Sequence, residues 1–123
     1  MSTQLNNVEE VEEALKAHDG SFVHINFINE GDIDSREQNE YFEEIASKAK
    51  SKNIEEAFYR VSLDDNPQIK DQLMVCPYEN YNSNDSFISV FHEMNLMGFA
   101  KTDDKNEVEE LYKGLSEVLA EDD

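Results

Sequence analysis

Apolar positions along this chain follow two rhythms, one helical and one alternating. Val8, Val11, Ala14 and Leu15 recur at helical spacing with glutamates between them, which predicts a helix over 8–17. Asp19-Gly20 closes it with turn chemistry. Over 22–28, Phe22, His24, Asn26 and Ile28 share one face and Val23, Ile25 and Phe27 the other. Bulk on both faces predicts a strand inside a sheet that helices cover. Tyr41, Phe42, Ile45, Ala46 and Ala49 form the stripe of a second helix, 37–51. Asp34 or Ser35 is placed to cap it, and Lys48, Lys50 and Lys52 suit the dipole at its end. Alternating Tyr59, Val61 and Leu63 predict a strand from Phe58 to Leu63. Asn66-Pro67 then reads as a cap and first helical residue for a short helical pattern from Ile69 to Leu73. Phe87 to Phe91 and Leu96 to Ala100 read as two strands joined by a His92-Glu93-Met94-Asn95 hairpin. Val108, Leu111, Tyr112, Leu115, Val118 and Leu119 form the inner face of a last helix over 106–119. The acidic end, 120–123, is expected to fray.

The order is helix, strand, helix, strand, short helix, two strands, helix, with no internal repeat and no low-complexity tract. It predicts an α/β domain. The first two strands pair in parallel through a crossover helix of sufficient length, and the last two pair antiparallel through a tight turn. One domain over residues 1–123 is the expected organisation.

Charge narrows the partners. Asp and Glu number 29 against 10 Lys and Arg, a net charge of −19. A polyanion of this kind disfavours nucleic acid and anionic membrane surfaces. Basic protein segments or divalent cations fit better, and solubility alone is the plainer reading. The one cysteine, Cys76, excludes an internal disulfide and any zinc site built from several thiolates. The polar, acidic start lacks the basic and apolar regions of a secretory signal, and no apolar run reaches membrane-spanning length. A cytoplasmic, reducing compartment is the expectation.

Val23-His24-Ile25-Asn26-Phe27, then a loop, then a helix, resembles the thioredoxin-like family. Leu63-Asp64-Asp65-Asn66-Pro67 is similar to that family's segment after the third strand, and Phe87-Ile88-Ser89-Val90-Phe91 with Gly98 to its fourth strand and hairpin. The resemblance runs from about Val8 to Leu119. It implies a three-layer fold, a mixed sheet of about four to five strands flanked by helices, often with an extra strand at the N-terminus. The family's two redox cysteines fall on Asp32 and Ser35 of Asp32-Ile33-Asp34-Ser35, and its buried aspartate on Asn26. Its cis-proline opens the fourth strand and faces the cysteine loop. Here Asn84-Asp85-Ser86 precede that strand, and Pro77 stands further back.

Neither a carboxylate nor a hydroxyl exchanges disulfides, so the resemblance implies a redox-inactive member with no cofactor that works by binding protein. Members of this kind serve as axonemal dynein light chains, a spliceosomal component and non-catalytic domains of disulfide isomerases. The expected site is an acidic, tyrosine-bearing edge: Glu30, Asp32, Asp34 and Ser35 from one loop, Tyr78 and Tyr81 from the polar insertion 78–85. Its expected partner is a basic protein segment. Two other readings compete. Cys76 could act as the thiol of a peroxidase or reductase, although Tyr78 and Glu79 beside it supply no cation to lower its pKa. Glu30, Asp32, Asp34 and Glu37 could make a low-affinity calcium-binding surface, although they lack the EF-hand's glycine and closing glutamate. His18, His24 and His92 are scattered, so no metal site is expected from them; His24 reads as a satisfied core or interface side chain, and Asn26 as a hydrogen-bonded strand residue.

Overall fold

The computed structural model describes residues 2–17, 20–69 and 85–121. The chain opens with a short strand, β1 (Thr3–Leu5), then helix α1 (Val8–Ala17) and strand β2 (Phe22–Ile28). A 3-10 turn (Ile33–Ser35) runs straight into α2 (Arg36–Ser51). Strands β3 (Glu56–Ser62), β4 (Phe87–His92) and β5 (Asn95–Lys101) follow, and α3 (Lys105–Ala120) closes the fold. The sheet order is β1-β3-β2-β4-β5. β3 pairs in parallel with both β1 and β2, whereas β2 with β4 and β4 with β5 are antiparallel. The expected mixed sheet is therefore present, with five strands.

The double-sided pattern of β2 follows from its central place. Val23, Ile25 and Phe27 pack with Leu5, Val11, Ala14, Val61, Leu63, Phe87 and Phe91 on the α1 side. Phe42, Ile45, Ala46 and Ala49 of α2 pack with Phe58, Ile88 and Val90 and with Val108, Tyr112 and Leu119 of α3 on the other. Alternate residues of one strand thus feed two cores.

Several boundaries shift from the sequence expectation. β1 carries one buried side chain, Leu5, too little to register as a periodic signal. β3 starts at Glu56 rather than Phe58 because the parallel ladder to β2 begins at Phe22 opposite Glu56. The hairpin turn is the pair Glu93-Met94, with φ of 50° and 69°. Both residues sit in the left-handed region that two-residue hairpins require and that Asn-Gly usually fills. Of the short helical pattern after Pro67, only Ile69 lies among the described residues, fully buried in the α1-side core. Val118, expected on the inner face of α3, is 49% exposed and lines a hollow with Phe22 and Met97, whereas Val108, Tyr112 and Leu119 of the same stripe are buried.

Candidate functional site

β2 delivers the chain to the loop that precedes α2. Asn29 turns it: its side-chain oxygen accepts from the Gly31 amide at 3.1 Å, and its carbonyl accepts from Asp32 N at 2.9 Å. Asp64, in the segment after β3, accepts from the Glu30 amide at 2.7 Å and ties the loop to its neighbour. The loop is held before any side chain of Asp32-Ile33-Asp34-Ser35 is considered.

Asp32 then faces inward. Its Oδ2 accepts from the Ser35 hydroxyl at 2.7 Å and from the Ser86 amide at 3.0 Å. Ser86 immediately precedes β4 and is fully buried. Its hydroxyl also accepts from Asn29 N at 2.9 Å, and its carbonyl accepts from Thr102 N at 3.0 Å. Proline at this position would have no N–H to offer. Asp32 at one expected cysteine position and a non-proline residue before β4 therefore work together: the carboxylate is satisfied by a donor that proline would remove.

Ser35, the other cysteine position, is fully buried. It stands at the N-cap of α2 but makes no side-chain cap hydrogen bond. That corrects the expectation that Asp34 or Ser35 caps the helix: the Ser35 hydroxyl is spent on Asp32, and the 3-10 turn leads into the helix by backbone bonding instead. Ile33 is 71% exposed, and Glu30, Asp34 and Glu37 point to solvent.

The expected quartet Glu30, Asp32, Asp34 and Glu37 does not form one cluster. Asp32 instead meets Asp85 and Asp103, with carboxylate oxygens all within 4.8 Å of one another. Asp103 sits just past β5, at a distance in sequence that no local spacing could flag. Burial first, and then the Asp32 and Asp85 charges, hold the Asp103 carboxyl above its ordinary value of 3.8. Three carboxylates are hard oxygen ligands, and these are the described residues with the chemistry to hold a divalent cation. Cys76, Tyr78 and Tyr81 lie outside the described residues, as do Pro77 and His18.

The two polar residues of β2 that face α2 and α3 are both satisfied. Asn26 donates to Asn39 Oδ1 at 2.8 Å and accepts from the Thr102 hydroxyl at 3.2 Å. His24 places Nε2 at 2.6 Å from Glu56 Oε1 and Nδ1 at 3.2 Å from the Tyr112 hydroxyl, and it stacks on Phe58 with centroids 4.4 Å apart. With Nε2 donating to the carboxylate, Nδ1 accepts from the Tyr112 hydroxyl and no donor is wasted. Tyr112 is buried, which together with Glu56 and Tyr41 keeps its phenol well above the ordinary 10.0 and hence protonated.

The fold is thioredoxin-like. The Fasciola hepatica thioredoxin structure superposes with a TM-score of 0.70 at 12% identity, over 91% of this chain and 97% of that one. A cysteine-to-serine mutant of Entamoeba histolytica thioredoxin gives 0.69 at 16% identity, over 93% and 99%. Oxidised Plasmodium falciparum thioredoxin gives 0.69 at 10% identity, over 94% and 98%. No protein-family model matches the sequence, and no curated protein matches it significantly. With one cysteine in the chain, the family's two-cysteine motif is absent. No helix among the described residues is long and apolar enough to cross a membrane.

Proposed function

We propose that this chain is a non-catalytic, cytosolic protein-binding module or assembly subunit that takes a basic partner segment on the outward side of its 30–37 loop. One observation carries the reading. Asp32 holds Ser35 and the Ser86 amide at the two expected cysteine positions and the strand opening, so the groups that would face a substrate chain are bonded to one another. What the loop offers outward is Glu30, Ile33 and Asp34: an apolar side chain between carboxylates, which suits a segment carrying both apolar and basic residues. Asp85 ends the 78–85 segment beside Asp32, and this reading assigns Tyr78 and Tyr81 to the same edge, where tyrosines make adaptable contacts.

The test is capture from native lysate at low and high salt. A stoichiometric partner held at low salt and lost with Glu30→Lys plus Asp34→Lys is the expected outcome, since contacts between exposed charges weaken as salt rises. Asp32 is left intact in that variant because its role is internal. Retention of the partner by the charge-reversed protein sinks the loop reading. Rapid alkylation of Cys76 at neutral pH would favour a thiol enzyme instead, and a saturable response to millimolar calcium would favour the low-affinity calcium-binding reading.

A further inference from the structure

A second surface lies on the flank of the sheet. β5 is an edge strand, and α3 crosses beside it. Along the seam run two adjoining hollows of about 380 and 570 Å3 that share Gly98 and Leu111. The first is walled by Phe22, Met97, Leu115 and Val118 over a floor of His24 and Tyr112. Phe22 is 41% and Met97 61% exposed.

The backbone is shaped to make this seam. The ladder between β4 and β5 slips at Val90/Phe91, pairing Val90 with Gly98 and Phe91 with Leu96 and leaving Met97 as the extra residue. In an unbroken strand, neighbours point to opposite faces; the bulge lets both Met97 and Gly98 line the same hollow. Gly98 lets α3 come close, since a Cβ there would meet Leu111 Cδ1 at 2.9 Å. Gly114 is different. It lies inside α3 and lines the seam, yet a Cβ there would meet nothing within 4 Å. Glycine inside a helix is unfavourable relative to alanine, and no packing within the described residues accounts for this one. An occupant that approaches the helix backbone would.

Charge selects the occupant. The charged groups that line the two hollows, His24 aside, are Glu56, Asp104, Glu107 and Glu110, with no lysine or arginine among them. A second copy of the chain would set these acids against their own equivalents on a protein of net charge −19. A fatty acid or anionic lipid would bring the wrong sign. We infer that the β5–α3 seam docks a segment of a partner protein that places apolar side chains between Met97, Gly114 and Val118 and lysines or arginines against Glu107 and Glu110. This surface is separate from the 30–37 loop and stands whether or not that reading does.

The test uses the whole chain and a fluorescein-labelled peptide alternating leucine and lysine. Three variants accompany the wild type: Gly114→Leu, which fills the seam without changing charge; Glu110→Lys; and the loop variant Glu30→Lys plus Asp34→Lys. Saturable binding is expected, with amide NMR shifts centred on Met97, Gly98, Leu111 and Gly114. Gly114→Leu should weaken it at least about tenfold with an unchanged circular dichroism spectrum, Glu110→Lys should weaken it about three- to tenfold, and the loop variant should leave it within about twofold. Undiminished binding to Gly114→Leu overturns the proposal, as does a shift pattern centred on residues 30–37 or equal binding of a leucine–glutamate peptide. Dimerisation by sedimentation that Gly114→Leu abolishes would overturn it too, because the occupant would then be a second copy. If the loop variant alone abolishes binding, the seam fails and the loop reading gains.

Discussion

The loop end of the sheet and its β5–α3 flank solve opposite problems. At the loop, polar groups turn on one another: Asn29, Asp32, Ser35 and Ser86 exchange hydrogen bonds, and an isoleucine is left outside. At the flank, the backbone is paired through β4 and apolar side chains are left outside, with Phe22, Met97 and Val118 in one hollow. The difference teaches where chemistry can reside in this chain. At the loop, Asp32 Oδ2 already accepts two donors. An apolar seam with acidic lining still has its apolar burial to gain.

The sharpest way to break this comparison is at Ser86. Ser86→Pro removes the amide that Asp32 accepts and the hydroxyl that Asn29 N uses, and should lower stability by about 2–4 kcal/mol in urea unfolding. Ser86→Ala keeps the amide and should cost about 1 kcal/mol. Equal stabilities for the two would show that the Asp32–Ser86 bond contributes nothing.

Tyr112, at the floor of the flank, gives the next largest effect. Its phenol titrates higher in the folded chain than in the unfolded one. The native state therefore keeps its proton where the unfolded state has lost it, so the stability is present below about pH 10 and drains away as pH rises further. Tyr112→Phe should cost about 1 kcal/mol at neutral pH through the lost His24 bond, and should flatten the alkaline limb of the unfolding curve. A variant with the same alkaline slope as wild type would remove Tyr112 as its cause.

The two seam glycines should respond in opposite directions. Gly98→Ala meets only the tip of the Leu111 side chain, which can shift into the hollow it lines, and should destabilise by about 0.5 kcal/mol or less. Gly114→Ala meets open space and should stabilise by about 0.5–1 kcal/mol. Thermal unfolding of the pair checks both signs at once, and a destabilised Gly114→Ala would mean that the helix surface there is not open.

The smallest effect belongs to Asp103. Its raised pKa reflects burial and the Asp32 and Asp85 charges, so the folded state disfavours the ionised form. The penalty is absent at low pH, grows as pH climbs through the carboxyl range, and is in full force at neutral pH. Asp103→Asn should raise stability at pH 7 by about 0.5 kcal/mol or less, since the group is largely in solvent and screened. The gain should vanish below about pH 3 and shrink in high salt. A loss of stability at neutral pH would instead mean that the carboxylate makes contacts worth more than its repulsion.

Periodicity by itself determined α1, α2, α3, the four longer strands and most of the faces they bury, Val118 being the exception. Val23, Ile25 and Phe27 against His24 and Asn26 separate the two cores by alternation alone, because side-chain direction in a strand is a local property. The identity of Asp32 and Ser35 also excluded a pair of cysteines in this loop without coordinates, since that depends on atoms and not on placement. Other features needed the tertiary structure. β1 exists only because β3 offers an edge to three residues. The inward turn of Asp32 depends on Ser86, 54 positions away, and the carboxylate group draws Asp85 and Asp103 from separate parts of the chain. The seam arises from a bulge in one strand and a glycine on a helix that meet only in three dimensions. In each case the deciding interaction is between groups far apart in sequence, and a pattern read along the chain carries no term for a contact across it.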